Sequence, residues 1–315
     1  MPRGLRMSAP PRLVILDTDP GVDDALALLY LSARSDLKLL AITTVFGNAD
    51  VETTTRNALW LRDTIGLSAP VHRGAEAPLN GPRGASPVHV HGENGLGDID
   101  LSGPSLPAPD AGAAHARIIE LVHANPGAVT LVAIGPLTNL ALALRDAPDI
   151  ASLVAGVTIM GGAFAQGNVT PYAEANIHND AEAAAAVLEA PWPVTLVPLD
   201  ATRSCVLSTS AARTAGGFVE TITRGYAAAY AAHEGLDGCP LHDVAALVSL
   251  TVPELFTART TAVGVGQGGE RHGQTLAIAD GPPVRIHVEA DGAGLVEHFL
   301  RSITPRKHST SAVSN

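Results

Sequence analysis

The chain has 315 residues, of which 46% are apolar, enough for one large α/β domain or two smaller ones with a sizeable core. Its 20 basic and 31 acidic residues leave a formal charge of −11, a field that repels polyanions and argues against nucleic acid as a partner. Two cysteines, Cys205 and Cys239, in neither a CxxC pair nor a zinc spacing, are too few for a disulfide framework and read as small packing residues.

Residues 1–12 carry arginines but no apolar run, so a cleaved signal peptide is not expected, and residues 1–11 read as a flexible extension. No stretch approaches the roughly 20 apolar residues of a membrane span. A cytoplasmic protein without membrane contact is the expectation. The first predicted strand, 13–16, leads into a helix over 23–33, and a second strand, 39–45, leads into a helix over 51–64. Residues 74–110 are rich in Gly, Pro, Asp and His and form a long loop able to close over a site. A helix over 111–123, a strand over 130–134, a helix over 137–146 and a strand over 154–160 follow. Next come a helix over 181–188, with Asp180 as its N-cap, and a strand over 194–197. The apolar runs are short and not strictly alternating, as in strands buried on both faces. Residues 208–250 read as a helical cap unbroken by strand signals. The Ser/Thr-rich residues 304–315 read as a disordered tail, which leaves 12–303 as one domain. Strand and helix in alternation predict an α/β fold, a mostly parallel central sheet covered by helices. Ligands in such sheets bind beyond the carboxyl ends of the strands.

The densest signal stands at the end of the first strand: Asp17-Thr18-Asp19-Pro20-Gly21-Val22-Asp23-Asp24. Pro20 and Gly21 make a sharp turn, and Asp23 and Asp24 fall in a first helical turn, where the macrodipole favours carboxylates. Capping accounts for one carboxylate. The others would repel one another unless a cation neutralised them, and an all-oxygen set suits a hard ion, calcium or magnesium. A haloacid-dehalogenase phosphotransferase also begins with a strand and Asp-x-Asp. That pattern expects Thr or Val where Gly21 stands and needs a downstream lysine. Lys38 and Lys307, the only lysines, are poorly placed for it.

The run resembles the DxDPGxDD hallmark of the inosine-uridine preferring nucleoside hydrolases, without a departure. The resemblance continues in order through residues 43–48 (TTVFGN), 91–97 (HGENGLG), 134–139 (IGPLTN), 160–162 (MGG), 167–168 (GN), 174–177 (EANI) and 242–243 (HD), covering about residues 12–300. It implies a Rossmann-like nucleoside hydrolase fold and hydrolysis of the N-glycosidic bond of purine or pyrimidine ribonucleosides. It also implies a calcium ion held by Asp19, Asp24, Asp243 and the main-chain carbonyl of Ile134, and a homodimer or homotetramer.

By the same resemblance Asp23, Asn48, Asn168, Glu174 and Asn176 hold the ribose, Met160 lies against the substrate, and Asp19 is the base that takes a proton from the attacking water. Carboxylates and amides suit ribose because each hydroxyl both donates and accepts. His242, beside Asp243, is placed to donate, as a protonated imidazole, to the departing base. His91 and the i, i+4 pair Tyr226 and Tyr230 are candidates for the base pocket. Val244 replaces the proline usual after the His-Asp pair. A non-catalytic nucleoside-binding protein of the same fold is the other reading. It would be expected to lose Asp19 or a metal ligand, and here none is lost.

Overall fold

The computed structural model describes residues 10–102 and 105–304. The expected extension at 1–11 and tail at 304–315 lie almost wholly outside the described residues. The strands are β1 (Arg12–Thr18), β2 (Leu37–Thr44), β3 (Val71–His72), β4 (Val129–Ala133), β5 (Gly156–Met160), β6 (Val194–Val197), β7 (Val206–Leu207), β8 (Cys239–Pro240), β9 (Phe256–Val265), β10 (Thr275–Ile278) and β11 (Val284–Ala290). Nine of them form one sheet in the order β10-β9-β11-β6-β5-β4-β1-β2-β3. Pairing is parallel from β3 through to β11, and antiparallel where β9 joins β11 and β10 joins β9.

Successive strand residues point to opposite faces, so the apolar runs supply two cores at once. Val14, Leu16, Val132 and Val197 pack beneath the helices Val22–Ser32, Gly217–Glu234, His242–Thr251 and Gly292–Ile303. Ile15, Leu131, Ile159 and Leu196 pack beneath Ala114–Ala124, Thr138–Asp146 and Ala181–Glu189. The predicted mostly parallel α/β sheet is therefore observed, with helix and strand ends shifted by up to three residues.

Three features depart from the sequence reading. The stretch 208–250 is not an unbroken helical region. The helix Gly217–Glu234 stops at Gly235, which adopts φ +65°, a left-handed conformation that costs glycine little. Cys239 and Pro240 then pair with β7 before the helix His242–Thr251 begins. The loop 74–110 contains one helical turn, Val88–His91. The antiparallel β9 and β10 gave no recognised signal, because half-exposed strands lack the dense apolar run that marks the buried ones. Among the described residues no helix is long and apolar enough to cross a membrane.

Candidate active site

The polar residues predicted to matter gather where β1, β2, β4 and β5 end. β1 delivers Asp19 directly to the Pro20-Gly21 turn, and the helix Val22–Ser32 starts with Asp23 and Asp24 in its first turn. Asp24 is held on three sides: Thr18 donates to Oδ1, the Gly21 N–H donates to Oδ2 at 2.9 Å and Asn48 Nδ2 donates to Oδ2 at 3.1 Å. The Asn48 N–H also donates to Asp19 Oδ2 at 2.8 Å. Asp243 arrives on the first turn of the helix His242–Thr251, which packs against Val22–Ser32. Oxygens of Asp23, Asp24 and Asp243 lie within 4.8 Å of one another, and all three residues are buried.

So many carboxylates in a buried crevice are electrostatically unstable by themselves. Burial first, and mutual repulsion second, push Asp19, Asp23 and Asp243 above the ordinary carboxylate range, and burial does the same to Asp24. Asp19 Oδ1 is buried with no hydrogen-bond partner among the described residues. A Cβ at Gly47 would lie 2.0 Å from Asp19 Oδ2, and one at Gly135 would lie 2.6 Å from Oδ1. Side-chain-free backbone thus clasps the carboxylate from both sides and fixes its aim. An orphaned buried oxygen beside three clustered carboxylates fits a hard divalent cation. Asp23, expected on the sugar, shares this 4.8 Å cluster with Asp24 and Asp243.

A second group of predicted residues forms an aromatic wall. His91 Nδ1 accepts from the Val22 N–H at 3.2 Å, which leaves Nε2 as the protonated nitrogen of the neutral ring. Its ring lies 5.2 Å from that of Tyr226, and Tyr226 lies 4.9 Å from Tyr230. His242 hydrogen-bonds through Nδ1 to Thr202 Oγ1 at 2.7 Å, and Nε2 stands 3.4 Å from the Tyr230 hydroxyl. Burial is the main cause holding both imidazoles down at about 3. The His242 ring opposes a charge on His91, and Arg203 opposes one on His242. Both rings are neutral at pH 7.

The third group hangs on the loop after β5. Asn176 Nδ2 donates to the carbonyls of Ile134 at 2.9 Å and Met160 at 3.1 Å. The Ile134 N–H donates to the Asp17 carbonyl at 2.8 Å, so the residue is tied to β1 as well. Glu174 is buried and caps Ala175–Asn179, accepting from the N–H groups of Gly162, Asn176 and Ile177. Asn168 is exposed at the loop rim, and its Oδ1 accepts from the Ala175 N–H at 3.0 Å. Asp180 caps the helix Ala181–Glu189 as expected, and its Oδ2 also accepts from Thr138 and from the Leu79 N–H.

Several supporting residues had no individual role assigned from sequence. Asp17 accepts from Thr43 and from Asn139 Nδ2 beneath the cluster, while its Oδ2 has no partner among the described residues; burial lifts its carboxyl to about 7. Asn57 donates to the carbonyls of Pro20 and Asn94, pinning the acidic turn to the long loop. Thr202 orients His242. Asp17 stood in the acidic run without a role of its own. Nothing local marks Asn57 or Thr202, whose partners are far away in sequence.

Residues 14–297 match the family model of the inosine-uridine preferring nucleoside hydrolases. Uridine nucleosidase 1 of Arabidopsis thaliana is 39% identical over 274 residues, covering 84% of this chain and 81% of its own. A non-specific ribonucleoside hydrolase of Escherichia coli is 37% identical over 285 residues, covering 88% of this chain and 93% of its own. The solved structure of a plant nucleoside hydrolase superposes with a TM-score of 0.89 at 33% identity, covering 94% of this chain and 99% of that one. A purine-preferring ribonucleoside hydrolase from Gardnerella vaginalis gives 0.87 at 30%, covering 93% and 98%. With the family motif intact on β1 and its acidic turn folded into a buried carboxylate cluster, the chain belongs to the inosine-uridine preferring nucleoside hydrolases.

Proposed function

We propose that the ribonucleoside hydrolysis of this family runs here with calcium as the cation, Asp19 as general base and His242 as donor to the departing base. Asp24, Asp243, Asp19 and the Ile134 carbonyl would hold the ion. A bound divalent ion would lower the pKa of the attacking water and anchor ribose hydroxyls. The observation that carries the reading is Asp19, a buried carboxylate clasped by Gly47 and Gly135 with one oxygen lacking a partner among the described residues.

In this reading the residues divide the work between the two ends of the substrate. Asp19 accepts the proton of the water that attacks the anomeric carbon, so displacement is direct and the configuration inverts. Asp23, Asn48, Asn168, Glu174 and Asn176 hold the sugar hydroxyls, and the nearby carboxylates stabilise positive charge developing on the ring. On the base side, the chain from Thr202 through His242 to Tyr230 presents donors at the aromatic wall, and His91 offers a second donor from Nε2. A neutral imidazole N–H serves as a hydrogen-bond donor to developing negative charge without first being protonated. Met160, Tyr226 and Tyr230 would border the substrate. We further propose a cytoplasmic protein that assembles as a homodimer or homotetramer.

Prolonged chelation should abolish activity and lower the melting temperature, because an ion bound only by the native state stabilises it by mass action. Added calcium should restore both, and magnesium less well. A purified protein that contains no divalent ion and is insensitive to chelators would refute the ligand assignment of Asp24 and Asp243.

A further inference from the structure

The loop 161–176 carries much of the proposed ribose grip, and it is braced from outside by an element with no proposed contact to substrate. Ala173 is its hub: the N–H groups of Asn168, Val169 and Thr170 all donate to the Ala173 carbonyl, at 3.1, 3.2 and 3.4 Å. Ala173 in turn forms an antiparallel bridge with Gln274, immediately before β10. The next residue, Thr275, is 1% exposed. Its hydroxyl donates to the Ala163 carbonyl at 2.8 Å and accepts from the Ala163 N–H at 2.9 Å. Gly162, one residue earlier, donates its N–H to Glu174 at 2.9 Å. The turn 162–163 is therefore gripped by a sugar-side carboxylate on one flank and by Thr275 on the other.

The rest of the 266–275 turn continues the brace. The Arg271 guanidinium lies 4.6 Å from the centre of the Tyr172 ring. His272 Nε2 stands 3.1 Å from the His178 carbonyl, at the end of the helical turn that Glu174 caps. Three contacts thus run from one edge of the sheet to the loop bearing Asn168 and Glu174, and a fourth reaches the helical turn that bears Asn176.

We propose that the β9–β10 turn sets the ribose grip of this loop, with Thr275 as the positioning residue whose loss weakens sugar binding more than it slows the chemistry. The inference rests on the ribonucleoside reading. Chemistry is carried by Asp19 and His242, whose hydrogen-bond partners lie outside this loop, so the two effects are separable.

The test compares Thr275→Val, which keeps the shape and removes both hydrogen bonds, with Thr275→Ser, which keeps the hydroxyl. KM for the wild-type enzyme's best nucleoside and the inhibition constant of the product D-ribose are read together, because ribose reports the sugar grip without the base. Thr275→Val should raise both by about tenfold, with kcat changed less than about threefold, and Thr275→Ser should restore both. Should Thr275→Val fail to fold, Arg271→Ala at the exposed turn gives the same reading, with a smaller rise in both constants. A lowered melting temperature with wild-type KM and ribose inhibition would make Thr275 a structural residue only and overturn the proposal. An equal fall in kcat at constant KM would overturn it too. A wild-type enzyme that cleaves no nucleoside would instead defeat the hydrolase reading, which is a different outcome.

Discussion

Asp19→Asn should lower kcat by on the order of 10²-fold or more while the protein remains folded. The amide oxygen can still accept from the Asn48 N–H, which donates to Asp19 Oδ2 at 2.8 Å, so the side chain keeps its place between Gly47 and Gly135. It can no longer take a proton from water. The substitution also removes one charge from a buried cluster in which Asp19 raises the pKa of Asp243. The melting temperature in chelator should therefore be no lower than that of the wild type. A variant that unfolds would show that Asp19 is structural, and one that turns over near normally would remove it from the role of base.

His242→Ala separates chemistry from binding through the leaving group. A natural purine leaves poorly without a donor to its ring, whereas p-nitrophenolate leaves readily as an anion. Inosine hydrolysis should slow by roughly 10²-fold, and p-nitrophenyl riboside hydrolysis by less than about tenfold. Equal losses on both substrates would mean that the substitution had disturbed Asp243 and the proposed cation site, since sugar and metal contacts serve either leaving group. A large loss on uridine with none on inosine would shift the decisive contact toward pyrimidines and toward the His91 Nε2–H or the tyrosines. Thr202→Val should follow His242→Ala in direction and be milder, because it frees the ring without removing it.

How much of this was legible in the sequence depended on how local each signal was. The acidic turn was readable because four carboxylates, a proline and a glycine stand within eight residues at the end of an apolar run. The buried parallel strands were readable for a similar reason, since their own composition marks them. Asp180 could be recognised as a cap because its helix begins at the next residue. The half-exposed β9 and β10 could not, and with them went Thr275, whose partner Ala163 is distant in the chain. Glu174 shows the opposite limit. The motif placed it on the sugar, yet its carboxylate already accepts from three backbone N–H groups, so any contact with ribose must use lone pairs left over from capping. Asp23 was separated by role from Asp24 and Asp243, and only the packing of two helices reveals that the three share one cluster.

That packing has a kinetic consequence. Asp24 belongs to the first helix of the chain and Asp243 to one near its end, so the carboxylates meet only after a loop of most of the protein has closed. Closure of so long a loop is entropically costly and slow relative to local pairing. A nascent or partly folded chain therefore has no cation site, and it is spared the repulsion that the finished crevice creates. An ion seated there would act as a latch on the completed structure. In stopped-flow experiments calcium should slow unfolding and leave the refolding rate unchanged, because a contact absent from the transition state affects only the unfolding arm. Faster refolding in calcium would place the docking of these two helices before the barrier.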